Sequence, residues 1–273
     1  MSSPDSVSPS SSPKDRWTSG SAYEIWMARW SGLLAAQFLD WLAAPHGARW
    51  LDLCCGTGIL SQAIAASFRP ARVLGLDRAA SQIDFARKHR AGDAIEYQVA
   101  DAVSLPLEDC SFDVCVSGLG LNFVSDPAKA LTEMRRVTRP GGLVAAYVWE
   151  YSGQVRFLRE FWDAAAAVDP TAAEFDQGRR FPICTSEGLR SSFLAAGLPN
   201  SAQRPLDILM DFENFDDYWQ PFLLGQGSAP VYLAARNEHV RNAIRDRLQA
   251  VLPTRADGSI SLPARALAIR SSR

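Results

Sequence analysis

Asp52-Leu53-Cys54-Cys55-Gly56-Thr57-Gly58 closes one apolar run and opens the helical stretch ILSQAIAASF. Glycines at such a turn let backbone approach a ligand closely, and the start of the following helix offers unsatisfied N–H groups. Glycines alone are a weak sign, because a tight turn with no ligand also selects them. Two carboxylates strengthen it. Asp77 ends the second apolar run, 21 residues after Gly56, the place from which an acid accepts hydrogen bonds from ribose hydroxyls. Asp101, followed by Ala102, ends the third run and can accept from an exocyclic amine such as that of adenine. Singly, either acid reads as a helix cap or a solvated strand end. Together, at successive strand tips beside one loop, they favour an adenosine ligand.

NAD and S-adenosylmethionine both carry adenosine. A dinucleotide fingerprint wants G-x-G-x-x-G, but Ser61 stands where the third glycine belongs. Asp52 instead lies inside the strand before the glycines, where it can bridge to a ligand ammonium. This arrangement resembles motif I of the class I S-adenosylmethionine-dependent methyltransferases. The likeness extends over about residues 48–150. LDLCCGTG is similar to the family's L-D-x-G-C-G-T-G, and GLDRA carries its ribose-binding acid. ADAVSLPLEDCSFDVCVSG resembles its adenine-binding and fourth-strand block, and EMRRVTRPGG its turn before the fifth strand. The nearest likeness is to the small-molecule branch that includes the ubiquinone and menaquinone methyltransferases. The resemblance implies cofactor contacts from Asp52, Cys54, Gly56, Thr57, Gly58, Asp77, Arg78, Asp101, Ala102, Ser117 and Gly118. Cys54 departs from it, since the family usually has glycine there, and a side chain narrows the floor under the methionine part. YEIWMARWS (23–31) resembles a family helix that closes over the cofactor, with Arg29 on the methionine carboxylate and Tyr23 and Trp30 packed on the ligand. Arginine suits a carboxylate because its fork donates two parallel hydrogen bonds.

For methyl transfer the protein must align acceptor, methyl and sulfur and exclude water. An O- or N-nucleophile also wants a base, and no obvious one is present. Asn122, in the loop LGLNFV (119–124), can orient an acceptor but is no base at neutral pH. Tyr147 and Glu150, with Tyr151, close the fifth strand and are the other catalytic candidates. The aromatic stretch FDDYWQPFLLGQG (215–227) reads either as a substrate wall, through Phe215, Tyr218, Trp219 and Phe222 with Gly225 and Gly227 as hinges, or as a core helix.

The elements that must position these residues are seven strands and their helices. Continuous apolar runs at 49–55, 72–77, 95–101, 112–118 and 143–150 alternate with helical patterns at 59–68, 80–90 and 126–137. Asp126 and Pro127 open the last of these, and Arg139-Pro140-Gly141-Gly142 breaks it. Further helices are expected at 23–44, 154–168, 186–196 and 236–251, and strands at 204–212 and 259–270. The expected fold is a Rossmann-like α/β domain: a seven-stranded, mostly parallel sheet with helices on both faces and a C-terminal helical lid. Residues 1–20, rich in Ser and Pro, read as a disordered tail. Residues 45–150 read as the cofactor half, 151–258 as substrate wall and lid, and 259–273 as the last strand.

The chain has 273 residues and a net charge of -2, which speaks against non-specific nucleic-acid binding. It also has no Asn/Asp-Pro-Pro-Tyr run after the fourth strand. Five scattered cysteines suit a reducing, cytoplasmic setting. His46, His89 and His239 have no ligand spacing, so no metal site is expected. No apolar run is long enough to span a membrane, and the N-terminus is no secretory signal. The resulting expectation is a monomer or homodimer that methylates a small organic acceptor at O, N or C and releases S-adenosylhomocysteine. A non-catalytic S-adenosylmethionine-binding protein and an NAD-dependent oxidoreductase are the alternatives.

Overall fold

The computed structural model describes Met27, residues 29–225 and residues 227–273. Seven strands form one sheet in the order β3-β2-β1-β4-β5-β7-β6. They are β1 (Arg49–Leu53), β2 (Arg72–Asp77), β3 (Ile95–Val99), β4 (Phe112–Gly118), β5 (Thr138–Trp149), β6 (Ser201–Phe212) and β7 (Ile260–Ser272). β1 to β5 pair in parallel, while β7 runs antiparallel to both of its neighbours, β5 and β6. The longer helices are α1 (Arg29–Leu42), α2 (Ile59–Phe68), α3 (Ala80–Lys88), α4 (Pro127–Val137), α5 (Arg156–Val168), α6 (Ser186–Ala195), α7 (Ser228–Ala234) and α8 (Glu238–Val251). No helix among the described residues is long and apolar enough to cross a membrane.

The central strands explain their own runs of apolar residues. Nearly every consecutive position in β1, in β4 and in the second half of β5, from Val144 to Trp149, is buried, which requires cover on both faces. α1 supplies part of it, since its stripe of Leu34, Phe38, Leu39 and Leu42 is buried and Phe38 sets its ring 4.7 Å from that of Tyr147 on β5. α4 starts as its sequence dictates: Asp126 accepts from the Lys129 N–H at 3.0 Å, with Pro127 in the first turn.

Two boundaries differ from the sequence reading by three residues or more. β5 begins at Thr138, not Leu143. Thr138 pairs with Phe112 and Leu143 with Val114, so Arg139-Pro140-Gly141-Gly142 forms an irregularity inside the ladder. β6 begins at Ser201, and Pro205 is tolerated in it because β6 is an edge strand.

The aromatic stretch after β6 is core. Tyr218 and Phe222 are buried against Phe157, Phe161 and Phe212, and Phe161 and Phe222 stack with centroids 4.4 Å apart. The Tyr218 hydroxyl donates to the Phe157 carbonyl at 3.0 Å. Such pairs contribute about 0.5–1.5 kcal/mol each beyond area burial. The stretch thus ties α5 to β6. Tyr23, Trp26 and the Ser/Pro-rich residues 1–20 lie outside the described residues.

Candidate active site

In the strand order, β1 is flanked by β2 on one side and β4 on the other, so the chain moves outward from β1 through β2 to β3 and then crosses to the far side of β1 to form β4. Loops above the carboxyl ends part at such a point and leave a crevice. A cleft of about 1050 Å³, open solvent included, lies there, lined by residues that follow β1, β2, β3 and β4, by Tyr147 of β5 and by Ser31 of α1.

The glycine loop is held by the acid opposite it. Asp77 accepts the Gly56 N–H at 3.0 Å and the Ala79 N–H at 2.9 Å. Burial pushes its carboxyl above the ordinary range, and these two backbone donors pull it back. Gly56 and Gly58 take φ of +54° and +89°, a backbone region that glycine enters without cost. Asp101 lines the same cleft and accepts the Val103 N–H at 3.1 Å, with Ala102 beside it.

Asp52 is fully buried at the cleft floor. Its Oδ2 accepts from the Ser61 hydroxyl at 2.6 Å, while its Oδ1 has no partner. Burial outweighs that bond, and the carboxyl is raised to about 7. Thr57 Oγ1 and Gln82 Oε1 are also buried, unpartnered and at the cleft. A buried polar atom without a partner is costly. Three of them around one crevice, with a carboxylate in each of the first three strand tips, fit a cationic, hydroxylated ligand such as S-adenosylmethionine.

Cys54 stands at φ +60° in the loop after β1, and Leu119 at φ +59° in the loop after β4. Non-glycine residues are strained there by about 1–2 kcal/mol, and such strain concentrates at functional sites. The Cys54 side chain fits because its neighbour is Gly120: a Cβ there would lie 2.4 Å from the Cys54 Cβ. Burial, with Asp77 and Asp52 nearby, pushes the Cys54 thiol far up, so it stays protonated.

The remaining expected site residues divide. Gly56, Thr57, Arg78, Gly118 and Tyr147 line the cleft with the acids. Tyr147 reaches across the end of β4, where a Cβ on Gly118 would meet its hydroxyl at 2.6 Å. Gly58 and Ser117 do not line the cleft, Gly58 being the residue from which α2 starts and Ser117 being buried within β4. Arg29 does not reach it either. Its guanidinium bonds the Asp217 carboxylate at 3.1 Å and lies over the rings of Trp30 and Phe212. Trp30 is buried against Phe157 and Phe212, where an indole gains more from an aromatic core than from a half-wet ligand. Asn122 is buried beneath its loop and does not line the cleft. Glu150 turns back to the Ser152 hydroxyl and N–H, closing its own turn. Sequence reasoning missed Ser31, Gln82, Phe123, Val124 and Ser125, which line the cleft. Gln82 had a readable signal, one helical turn after the acid of β2. The others depend on how α1 and the loop after β4 pack.

No cluster of His, Cys, Asp and Glu among the described residues is arranged to hold a metal.

A family model described as a methyltransferase domain matches residues 51–146. The chain is 31% identical over 182 residues to the 2-phytyl-1,4-beta-naphthoquinone methyltransferase of Arabidopsis thaliana, covering 60% of this chain and 69% of that one. It is 38% identical over 141 residues to the 2-phytyl-1,4-naphtoquinone methyltransferase of Thermosynechococcus vestitus, covering 50% and 62%. Among solved structures, the YcgJ protein from Bacillus subtilis superposes with a TM-score of 0.57 at 18% identity, covering 88% of this chain and 97% of that one. A Haemonchus contortus phosphoethanolamine N-methyltransferase in complex with S-adenosyl-L-methionine gives 0.58 at 18% identity, covering 93% and 56%. At these identities the two structures speak for the fold alone.

Proposed function

The chain belongs to the class I S-adenosylmethionine-dependent methyltransferases, and from that premise we propose that its acceptor is a small, apolar, ring-bearing molecule of the phenol or quinol type. One observation carries this reading. The charged side chains of the cleft, Asp52, Asp77, Arg78 and Asp101, all sit in or just after β1, β2 and β3. The opposite wall, built by Gly118, Leu119, Gly120, Phe123, Val124, Ser125 and Tyr147, holds none. A wall of that kind receives an apolar ring and offers nothing to neutralise a phosphate or a carboxylate. The naphthoquinone names of two relatives agree with it.

S-Adenosylmethionine, when bound, supplies a methyl group already activated on a sulfonium. Asp77 would take the ribose hydroxyls through lone pairs left beside its two backbone donors. Asp101 and Ala102 would border the adenine, and Asp52 would face the ammonium of the methionine part. Tyr147 is the one ionisable side chain on the acceptor wall, so it would orient or relay a proton at a phenolic oxygen. Leu119, Phe123 and Val124 would exclude water from the transfer. A monomer or homodimer in the cytoplasm is the setting we infer, five free cysteines supporting a reducing compartment.

Calorimetry tests the cofactor half. Asp77→Ala leaves two backbone donors unpaired and removes a charged acceptor, so binding of S-adenosylmethionine should weaken by about ten- to a hundredfold. Turnover to S-adenosylhomocysteine tests the acceptor half. Methylation of a naphthoquinol but not of phosphoethanolamine is expected, and the reverse preference would overturn the acceptor reading.

A further inference from the structure

The buried face of α3 holds Gln82, Ile83 and Ala86. Two of these are apolar, as a helix packed on a sheet requires. Gln82 is not, although it is only 4% exposed. Its Oε1 is shielded from water and has no hydrogen-bond partner, which is a cost to the fold. A methionine would fill the position without that cost. Packing alone therefore does not explain the amide.

The place of Gln82 narrows what the amide can do. Its N–H donates to the Ala79 carbonyl at 3.0 Å, which sets it in the first turn of α3. It lines the cleft with Arg78 and Ala79, which follow β2, and with Ala100, Asp101 and Ala102, which follow β3. In the strand order this end lies across β1 from the acceptor wall of β4 and β5. The other polar side chains here are Asp77, Arg78 and Asp101. Carboxylates only accept and a guanidinium only donates, whereas an amide presents an acceptor and a donor side by side. Adenine carries the complement on one edge, where an N–H of the exocyclic amine stands beside N7, and glutamine can pair with both at once. The second N–H of that amine points the other way, toward N1, and remains for Asp101. A purine with a carbonyl at that position shows two acceptors on the same edge, which sets oxygen against oxygen.

We propose that Gln82 is a specificity-determining residue for the base of the cofactor, its Oε1 accepting from the exocyclic amine of adenine and its Nε2 donating to N7. The proposal rests on the reading of the cleft as an S-adenosylmethionine site. It gives the unpaired oxygen its partner in the bound state.

The test uses calorimetry with two probes, S-adenosylhomocysteine and S-inosylhomocysteine, which carries a carbonyl in place of the exocyclic amine. Failure of the wild-type protein to bind S-adenosylhomocysteine would refute the cofactor reading itself. The wild-type protein should prefer S-adenosylhomocysteine by at least about tenfold, within the range one such paired edge supplies. Gln82→Met, which keeps the length of the side chain, should bind S-adenosylhomocysteine about five- to a hundredfold more weakly. Its affinity for S-inosylhomocysteine should stay within about threefold of wild type, because the amide makes no paired edge with that base. Gln82→Leu should show the same fall in preference. Without ligand, Gln82→Met should melt no lower than wild type, since it removes an unpaired buried oxygen. An equal loss of both probes in the two variants would overturn the proposal, and so would a preference unchanged from wild type. A lower melting temperature with an unchanged preference would mean that the amide serves the fold alone, and would overturn it as well.

Discussion

The contact between Cys54 and Gly120 gives a sharp quantitative test of the cleft floor. Gly120 has φ −106° and ψ −31°, a conformation open to any residue. Alanine there therefore meets no backbone obstacle. Its Cβ would stand 2.4 Å from the Cys54 Cβ and 3.3 Å from the Cys54 carbonyl oxygen. Two carbons in contact want about 3.5–4.0 Å, so the loops after β1 and β4 must part by about 1 Å. Overpacking of that size costs about 1–3 kcal/mol. In a domain of this length each kcal/mol moves the melting temperature by about 2–4 °C, so Gly120→Ala should melt about 2–12 °C lower. Cys54→Gly removes the obstacle and also relieves about 1 kcal/mol of left-handed strain, offset in part by the freedom glycine gains in the unfolded chain. That single variant should stay within about 1 kcal/mol of wild type on the same arithmetic. The double variant should regain most of what Gly120→Ala loses, a coupling of at least about 1 kcal/mol. Urea unfolding of the four proteins, read by circular dichroism, gives the cycle directly. If the two losses simply add, the packing argument is wrong.

Two further outcomes follow from the site. The carboxyl of Asp52 is raised to about 7, so the folded protein keeps a proton that the unfolded chain releases near pH 4. Stability should therefore decline as pH rises through this interval, by at most about 1.4 kcal/mol per unit, and level off above 7; Asp52→Asn should flatten the decline. Because an ammonium favours the ionised acid, affinity for S-adenosylmethionine should instead rise toward pH 7 and then plateau, and a pH-independent affinity would remove Asp52 from the site. Arg29 is about 40% exposed in its pair with Asp217, a pair worth at most about 1 kcal/mol. Arg29→Ala should lower the melting temperature by no more than about 4 °C and leave cofactor affinity within twofold, on the order expected for a remote exposed charge; a tenfold loss would mean that Arg29 leaves Asp217 for the cofactor carboxylate.

The sequence was most legible where burial is complete. Residues 49–53, 72–77 and 112–118 have no solvated face, so their composition announces strands without an alternating pattern. The acids at the strand tips were legible because chain spacing alone places them beside the glycine loop. The expected site residues that lie away from the cleft are ones whose side-chain partners strand spacing does not show. Arg29 meets an acid 188 residues away, and no local pattern shows that pair. Glu150 and Asn122 read as substrate-facing because strand ends line such clefts, but a serine two residues on captures one and the loop buries the other. Gly141 and Gly142 read as the end of a helix and the start of a strand. Only the register of β4 against β5 shows that the strand runs through them.

β7 enters the sheet between β5 and β6, strands that precede it in the chain by more than a hundred and by nearly fifty residues respectively. During synthesis β1 to β5 can pair as they emerge, each beside a strand already made. β6 cannot, since its partner among the described residues, spanning Ile260–Ser272, is translated after it. Until then β5 presents an open edge, and such edges invite pairing with other chains. The nascent protein therefore has to pass through an interval with a finished cofactor cradle and an unfinished sheet, and closure waits on the last strand. Arg273 then fastens that closure, donating to the carbonyls of Arg136 and Thr138 where β5 begins.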